Sequence, residues 1–376
     1  MRIKAIEPIA VSLPMRKPVR MSGETVARAD NVFVRVESDD GVVGWGEAAS
    51  APLMTGETVA GMTAAIAHLT PGLISRDAED FAGATAVMDA RLYGNSGAKA
   101  AIAIALYDLV GRATGRPVYA LLGAKQRGRM ATLAVIGSPD IADDLHEAER
   151  RWSAGYRAFK IKVGMGTAQA DAERTRAICA ALKGKGEDCL VCADANQGFN
   201  LEDALCYVRA VADCGLDFLE QPVVAHDLDA MARIAAASGV PIGADEGIHS
   251  LENIARHHQH GAARGVSLKA IKLGGPRQVL EACRLCDRLG MKVNISCKTG
   301  EASVASAAAA HIAAAAPALD WGLTVTSAGL AEDVAVEPLA VMRGHVEVPD
   351  GPGLGIEIDE RRLRRRQQDF GARKVA

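Results

Sequence analysis

Three acidic residues, Asp194, Glu220 and Asp245, each close a short apolar run, and they stand 26 and 25 residues apart. The runs are CLVCAD, LDFLEQP and VPIGADE. Apolar runs of this length read as buried strands, and the interval matches one strand, one helix and two loops. The carboxylates therefore fall at the tips of three consecutive parallel strands. In a closed β/α barrel such tips converge on the face where chemistry is done. Three converging carboxylates repel one another unless a cation neutralises them, and an all-oxygen set suits Mg²⁺, with Mn²⁺ as a second fit. The competing reading is three helix N-caps, because Asp is common where a strand turns into a helix.

Lysines flank this series. Lys160 and Lys162 lie in RAFKIKV, one unit before Asp194, and Lys269 lies in GVSLKAIKLGG, one unit after Asp245. Residues i and i+2 of a strand share a face, so Lys160 and Lys162 both point into the barrel if either does. Lysine is almost never buried without a partner. A lone Lys-x-Lys is a solvated strand face; in order with three spaced carboxylates it marks a site.

From about residue 130 the chain alternates apolar run and amphipathic segment eight times. Strand starts fall near 131, 157, 189, 217, 241, 266, 292 and 319. Helices are predicted over 141–154, 167–182, 201–214, 227–238, 251–260, 277–289 and 301–315. Eight such units predict an α/β fold, a (β/α)8-type TIM barrel, over residues 126–340. An open doubly wound sheet would want an early GxGxxG turn, which no strand here precedes. Residues 1–125 read as an α+β capping domain, with a hairpin turn at Asp39-Asp40-Gly41. Residues 341–376 should return to it through GPGLG.

A length of 376 residues suits one large barrel with an appended domain. A net charge of −3 points to neither nucleic acid nor membrane. The opening MRIKAIEPIAVSLP alternates like a strand and lacks the apolar run of a signal peptide, so a cytoplasmic enzyme is expected. The alanine-rich stretch 302–318 is too short to span a bilayer and reads as a buried helix. Cys189-x-x-Cys192 and Cys283-x-x-Cys286 imitate a zinc pattern. The first pair falls in a strand, on opposite faces, and the second in mid-helix, so reduced thiols are the better reading. The basic run from Arg361 to Arg366 reads as a solvated helix face.

With these residues in place, the chain resembles the enolase superfamily, in its muconate-lactonizing and mandelate-racemase-like branch. The likeness runs over nearly the whole length, through GWGEA, AIALYDLVGRATGRPVYALLGA, the Lys-x-Lys strand, Asp194-Ala195-Asn196, Glu220-Gln221-Pro222, Asp245-Glu246, LKAIKLGGP and GPGLG. The resemblance implies that Asp194, Glu220 and Asp245 bind Mg²⁺. It implies that Lys162 and Lys269 are acid/base catalysts on opposite faces of the substrate; Lys160, beside Lys162, reads as an electrostatic helper. It also implies a homo-oligomer, dimer or octamer. Lysines on both sides favour the muconate-lactonizing subgroup over the His–Asp arrangement of mandelate racemases.

The implied chemistry is abstraction of the α-proton of a small carboxylate. A lysine base must be partly neutral near pH 7, which asks its pKa to fall from ~10.4 to roughly 7–8. Neighbouring cations and burial push that way, and the carboxylates oppose it. Dipeptide epimerases of this family carry Asp-x-Asp at the eighth strand; here Thr324 and Thr326 stand instead. Lys298 and Glu301 should sit at the rim, as an ion pair or as substrate contacts. The segment from Arg16 to Arg20 matches the family's mobile cap loop, with Arg20 a substrate contact. Racemisation or epimerisation of an amino-acid or proline-like substrate is expected first, then dehydration of a hydroxy acid or hydroxyproline, then muconate-type cycloisomerisation. A metal-free Schiff-base aldolase and a non-catalytic binding barrel are the remote alternatives.

Overall fold

The computed structural model describes residues 1–138 and 140–373. The chain opens with a three-stranded antiparallel sheet, β1 (Ile3–Met21), β2 (Glu24–Ser38) and β3 (Val43–Ala49). The predicted turn joins β2 to β3, with Gly41 at φ 84°, where a side chain would be strained. Four helices follow: α1 (Val59–Leu73), α2 (Phe81–Arg91), α3 (Ser96–Thr114) and α4 (Val118–Leu122). α3 lies directly on β3 because Gly44 and Gly46 carry no Cβ; one on Gly46 would run into the Ala101 carbonyl oxygen.

After β4 (Arg129–Ala131), eight parallel strands follow in chain order: β5 (Ala134–Ile136), β6 (Ala158–Lys162), β7 (Leu190–Asp194), β8 (Phe218–Glu220), β9 (Ile242–Ala244), β10 (Gly265–Leu268), β11 (Lys292–Ser296) and β12 (Leu323–Thr324). The Leu133 N–H donates to the Leu323 carbonyl at 2.9 Å, and Thr132 bridges the same residue, so the last strand meets the first. The intervening helices are α5 (Ile141–Ser153), α6 (Ala168–Lys183), α7 (Leu201–Ala210), α8 (Leu228–Ala237), α9 (Leu251–Gln259), the single turn α10 (Ala270–Leu273), α11 (Pro276–Leu289) and α12 (Ser303–Ala315). β13 (His345–Glu347) and α13 (Glu360–Arg373) complete the chain.

Two strand assignments need correction. Arg129–Ala131 is not the first barrel strand; it pairs antiparallel with β13. From Met130 to Ile136 the run is apolar but for Thr132, so periodicity cannot divide it. The eighth strand begins at Leu323, because Gly322 at φ 72° breaks extended structure just before it. α7 also stops at Ala210, a turn earlier than expected.

Strand alternation sorts the barrel interior into two layers. The lower layer is an apolar plug that includes Ala158, Cys192, Phe218 and Trp321, with Phe218 and Trp321 stacked at 3.9 Å between ring centroids. Gly243 and Gly265 leave room for the indole. Two residues further along the same faces come Lys160, Asp194 and Glu220. The charged residues therefore sit above an apolar floor.

All eight cysteines are free, with Cys192 in the plug and Cys283 and Cys286 buried on α11. Every residue of α12 is buried, as its alanine content predicts. Among the described residues, no helix is long and apolar enough to cross a membrane. The basic α13 is less solvated than expected. Arg364 forks onto Glu7 at 2.6 and 2.7 Å, and Arg365 and Arg366 both hold Glu332.

Two buried acids join the N-terminal sheet and helices to the rest. Asp108 on α3 accepts the N–H groups of Trp45 and Leu354, each at 2.8 Å, and so pins the GPGLG return. Glu47 on β3 accepts the N–H groups of Ala302 at 2.7 Å and Ala305 at 3.0 Å. It thereby caps α12, whose own N-cap residue, Ala302, has no polar side chain. Burial, reinforced by the nearby Glu301 and Asp333 carboxylates, pushes Glu47 up to about 8. A carboxyl that titrates higher when folded weakens stability as pH rises, here between about 4.5 and about 8. Glu47→Gln should flatten that part of a urea-melt stability–pH profile. Glu47→Ala should lower stability across the range by about 2–4 kcal/mol, through amides left unpaired.

Candidate active site

Parallel register places Lys162, Asp194 and Glu220 on one rung across β6, β7 and β8. Asp245 follows β9 directly, and Lys269 follows β10. These side chains and Lys160 are all buried, and they line a cavity of about 800 Å³. None of the three acids caps a helix. That work falls to Asn200, Asp227 and Ser250, whose side chains accept first-turn N–H groups of α7, α8 and α9.

The layer is held together by charge-assisted bonds. Lys160 Nζ donates to Glu220 Oε2 at 2.7 Å, and Lys162 Nζ to Asp194 Oδ2 at 2.6 Å and Asn196 Oδ1 at 2.6 Å. Lys269 Nζ donates to Asp245 Oδ2. Lys272 holds the other side of the same carboxylate, Oδ1 at 2.5 Å, and donates to the Ser267 carbonyl at 3.0 Å. The backbone is strained where it turns these groups inward. Asn196, Gln197 and Gln221 have φ of 41°, 66° and 36°, left-handed values for residues with side chains. Gln221 repays this by accepting the N–H groups of Asp245 at 2.9 Å and Gly247 at 3.2 Å.

Electrostatics follow from the pairing. Burial raises Asp194 and Asp245, but the adjacent lysines outweigh it and hold both below the usual carboxylate range. Glu220 is pushed up by burial despite Lys160. Burial lowers Lys160 and Lys269, yet the carboxylates beside them win and hold both ammonium groups above the ordinary value. The downward push expected from burial is thus outweighed at Lys269, because its Nζ is bonded to Asp245.

The oxygen set fits a hard divalent cation. Glu220 Oε1 and Glu246 Oε2 are buried with no hydrogen-bond partner among the described residues. A buried carboxylate oxygen left unpaired is destabilising, and a cation would satisfy it. As placed, the acids turn to lysines, and among the described residues no three His, Cys, Asp or Glu side chains form a closed clasp. Cation binding at these oxygens therefore competes with the lysine ammonium groups.

Other expected residues fall nearby. Lys298 follows Cys297 after β11 and pairs with Glu24 Oε2 at 3.5 Å, not with Glu301. Glu301 Oε2 instead accepts the backbone N–H of Lys298 at 2.8 Å. Residues 16–20 lie within β1: Val19 and Arg20 pair with Val26 and Thr25 of β2 beyond an irregularity that follows Pro14, and the hairpin forms one wall of the cavity. Arg20 is exposed there, and Arg16 Nε donates to the Ala328 carbonyl at 3.2 Å. Lys272 and Asn196 were missed as site residues. The second lysine of LKAIKLGG was a usable signal, since one helical turn brings it beside Lys269.

Residues 5–123 match the mandelate racemase / muconate lactonizing enzyme N-terminal domain, and residues 143–362 match the enolase C-terminal domain-like family. The chain belongs to the mandelate racemase and muconate lactonizing enzyme branch of the enolase superfamily. It is 32% identical to the N-succinyl-L-Arg/Lys racemase of Bacillus cereus, over 96% of each chain. It is 33% identical to muconate cycloisomerase 1 of Pseudomonas putida, over 96% of this chain and 98% of that one. The muconate lactonizing enzyme of Pseudomonas fluorescens, solved with muconolactone, superposes with a TM-score of 0.92 at 31% identity, covering 96% of this chain and 98% of that one. The family consists of enzymes, generally dependent on a divalent metal.

Lys272→Met removes an ammonium from between Asp245 and the Ser267 carbonyl and leaves both acceptors buried. Stability should fall by about 3–5 kcal/mol in urea melts, since one partner of a buried pair is lost.

Proposed function

We propose that this enzyme removes the α-proton of a small carboxylate on one face and returns a proton on the other, racemising or epimerising an amino-acid derivative. One observation carries the reading. Lys162 belongs to the second barrel strand and Lys269 follows the sixth, so two buried amines face one cavity from opposite walls of an eight-stranded ring. The N-succinyl-L-Arg/Lys racemase relative supports it.

Removing a proton next to a carboxylate builds a second negative charge on the substrate. Asp194, Glu220 and Asp245 would hold a divalent cation, Mg²⁺ by their chemistry, which supplies positive field to the substrate's carboxylate oxygens. Lys162, once released from Asp194 and neutral, takes the proton from its side of the α-carbon. Lys269, as an ammonium, delivers one from the other side. Lys160 adds positive charge to the floor, and Lys272 keeps Asp245 oriented when Lys269 turns to substrate. The same pair could serve cycloisomerisation, one lysine protonating while the other only adds charge; the muconate cycloisomerase relatives favour this as the second reading.

Incubation with Mg²⁺ in D₂O, against amino acids, N-acyl amino acids, prolines and muconates, tests the assignment by NMR. Deuterium should appear at the α-carbon with the skeleton unchanged. Lys162→Ala and Lys269→Ala should each slow racemisation by about 10²–10⁴-fold, while each keeps exchange of the one enantiomer that the surviving lysine faces. A new ring or loss of water would move the assignment to cycloisomerase or dehydratase.

Mg²⁺ should also raise the thermal midpoint of the wild type and raise that of Glu220→Gln far less. No exchange together with no Mg²⁺-dependent shift would sink the proposal.

A further inference from the structure

Six lysines are buried among the described residues, and five of them donate to a carboxylate at 2.7 Å or less: Lys99, Lys160, Lys162, Lys269 and Lys272. Lys298 is the exception. It is 6% exposed and lines the cavity, and its ion partner is Glu24 Oε2 on the β1–β2 hairpin at 3.5 Å. That is well beyond the roughly 2.7–2.9 Å of a charge-assisted hydrogen bond.

The surroundings hold the Lys298 backbone firmly while leaving its ammonium poorly met. Glu301 is committed to the Lys298 backbone N–H at 2.8 Å. The Thr326 hydroxyl proton is shared between the carbonyls of Lys298 at 2.9 Å and Glu301 at 3.0 Å. A buried ammonium without a close partner is destabilising, and here the open side is the cavity. Arg16, Lys17 and Arg20 on the hairpin wall add charge of the same sign.

We infer that Lys298 binds a second anionic group on the substrate, remote from the α-carbon, and that the substrate is therefore at least a dianion. Glu24 fills the place of that anion and yields it to the ligand. This deepens the proton-transfer reading, in which Lys162 and Lys269 flank the α-carbon and the three strand-tip acids face the first carboxylate. Lys298 stands apart from that layer, one strand further round the barrel and beneath the hairpin.

The test uses the full chain with Mg²⁺ and two matched probe pairs. N-succinyl- and N-glutaryl-L-alanine, both dianions, are each compared with the monoanionic isostere whose distal carboxylate is an amide. By calorimetry the wild type should bind a diacid roughly 10–100-fold tighter than its amide. Lys298→Met and Lys298→Gln, with circular dichroism showing the wild-type fold, should erase that preference. Glu24→Gln should tighten diacid binding. Equal binding of acid and amide by the wild type, a preference that survives both Lys298 substitutions, or binding of neither pair overturns the inference. α-Deuteration of the same probes separates the two claims. Exchange without discrimination keeps the reaction and rejects the subsite; discrimination without exchange keeps the subsite and rejects the reaction.

Discussion

Four lysines and three carboxylates share one buried layer above the apolar plug, and their mutual neutralisation makes the rest of the site possible. Desolvating such ions is destabilising by several kcal/mol each, and only close opposite charges with good geometry offset it. Asp245 illustrates the arrangement, with Lys269 on one oxygen and Lys272 on the other. These bonds can be exchanged. A lysine drawn away from its carboxylate would leave behind an oxygen that a cation could take, so a cation and the lysines would compete for one set of contacts. The strained φ values at Asn196 and Gln221 belong to the same arrangement, since they turn the chain at the strand tips that carry it.

The N-terminal sheet is part of the site and more than an appendage. Glu47 supplies the cap that α12 lacks, and α12 follows the loop that carries Lys298 and Glu301. Arg16, from the same sheet, reaches the Ala328 carbonyl at the barrel rim, and Ala331 N–H donates to the Pro14 carbonyl at 2.8 Å. The cavity accordingly has one wall from each part of the chain. The hairpin can vary in sequence while the charged layer below stays as it is.

Much of this was legible beforehand. The eight-fold alternation, the carboxylate interval and Lys-x-Lys located the barrel and its interior charges, because period and spacing are local properties of a chain. Lys272 was passed over because its neighbour Lys269 already filled the expected place, and only the one-turn helix α10 shows both lysines meeting Asp245. Glu47 and Glu24 gave no warning, since their partners lie hundreds of residues away. The expected cap loop lies within β1, its far end paired with β2 at Val19 and Arg20, and that pairing is a tertiary fact.

The sequence by itself determined the fold class, the order of strands and which side chains share a face, since alternation along a strand keeps Lys160 with Lys162 and the even spacing of Asp194, Glu220 and Asp245 puts them at successive strand tips. Which lysine holds which carboxylate was decided only by the tertiary structure. So was the loose pairing of Lys298, left by Glu301 with a hairpin acid 3.5 Å away. The physical reason is range. Periodicity is set by bonds along the chain, whereas pairing depends on the few ångströms between elements that only packing brings together.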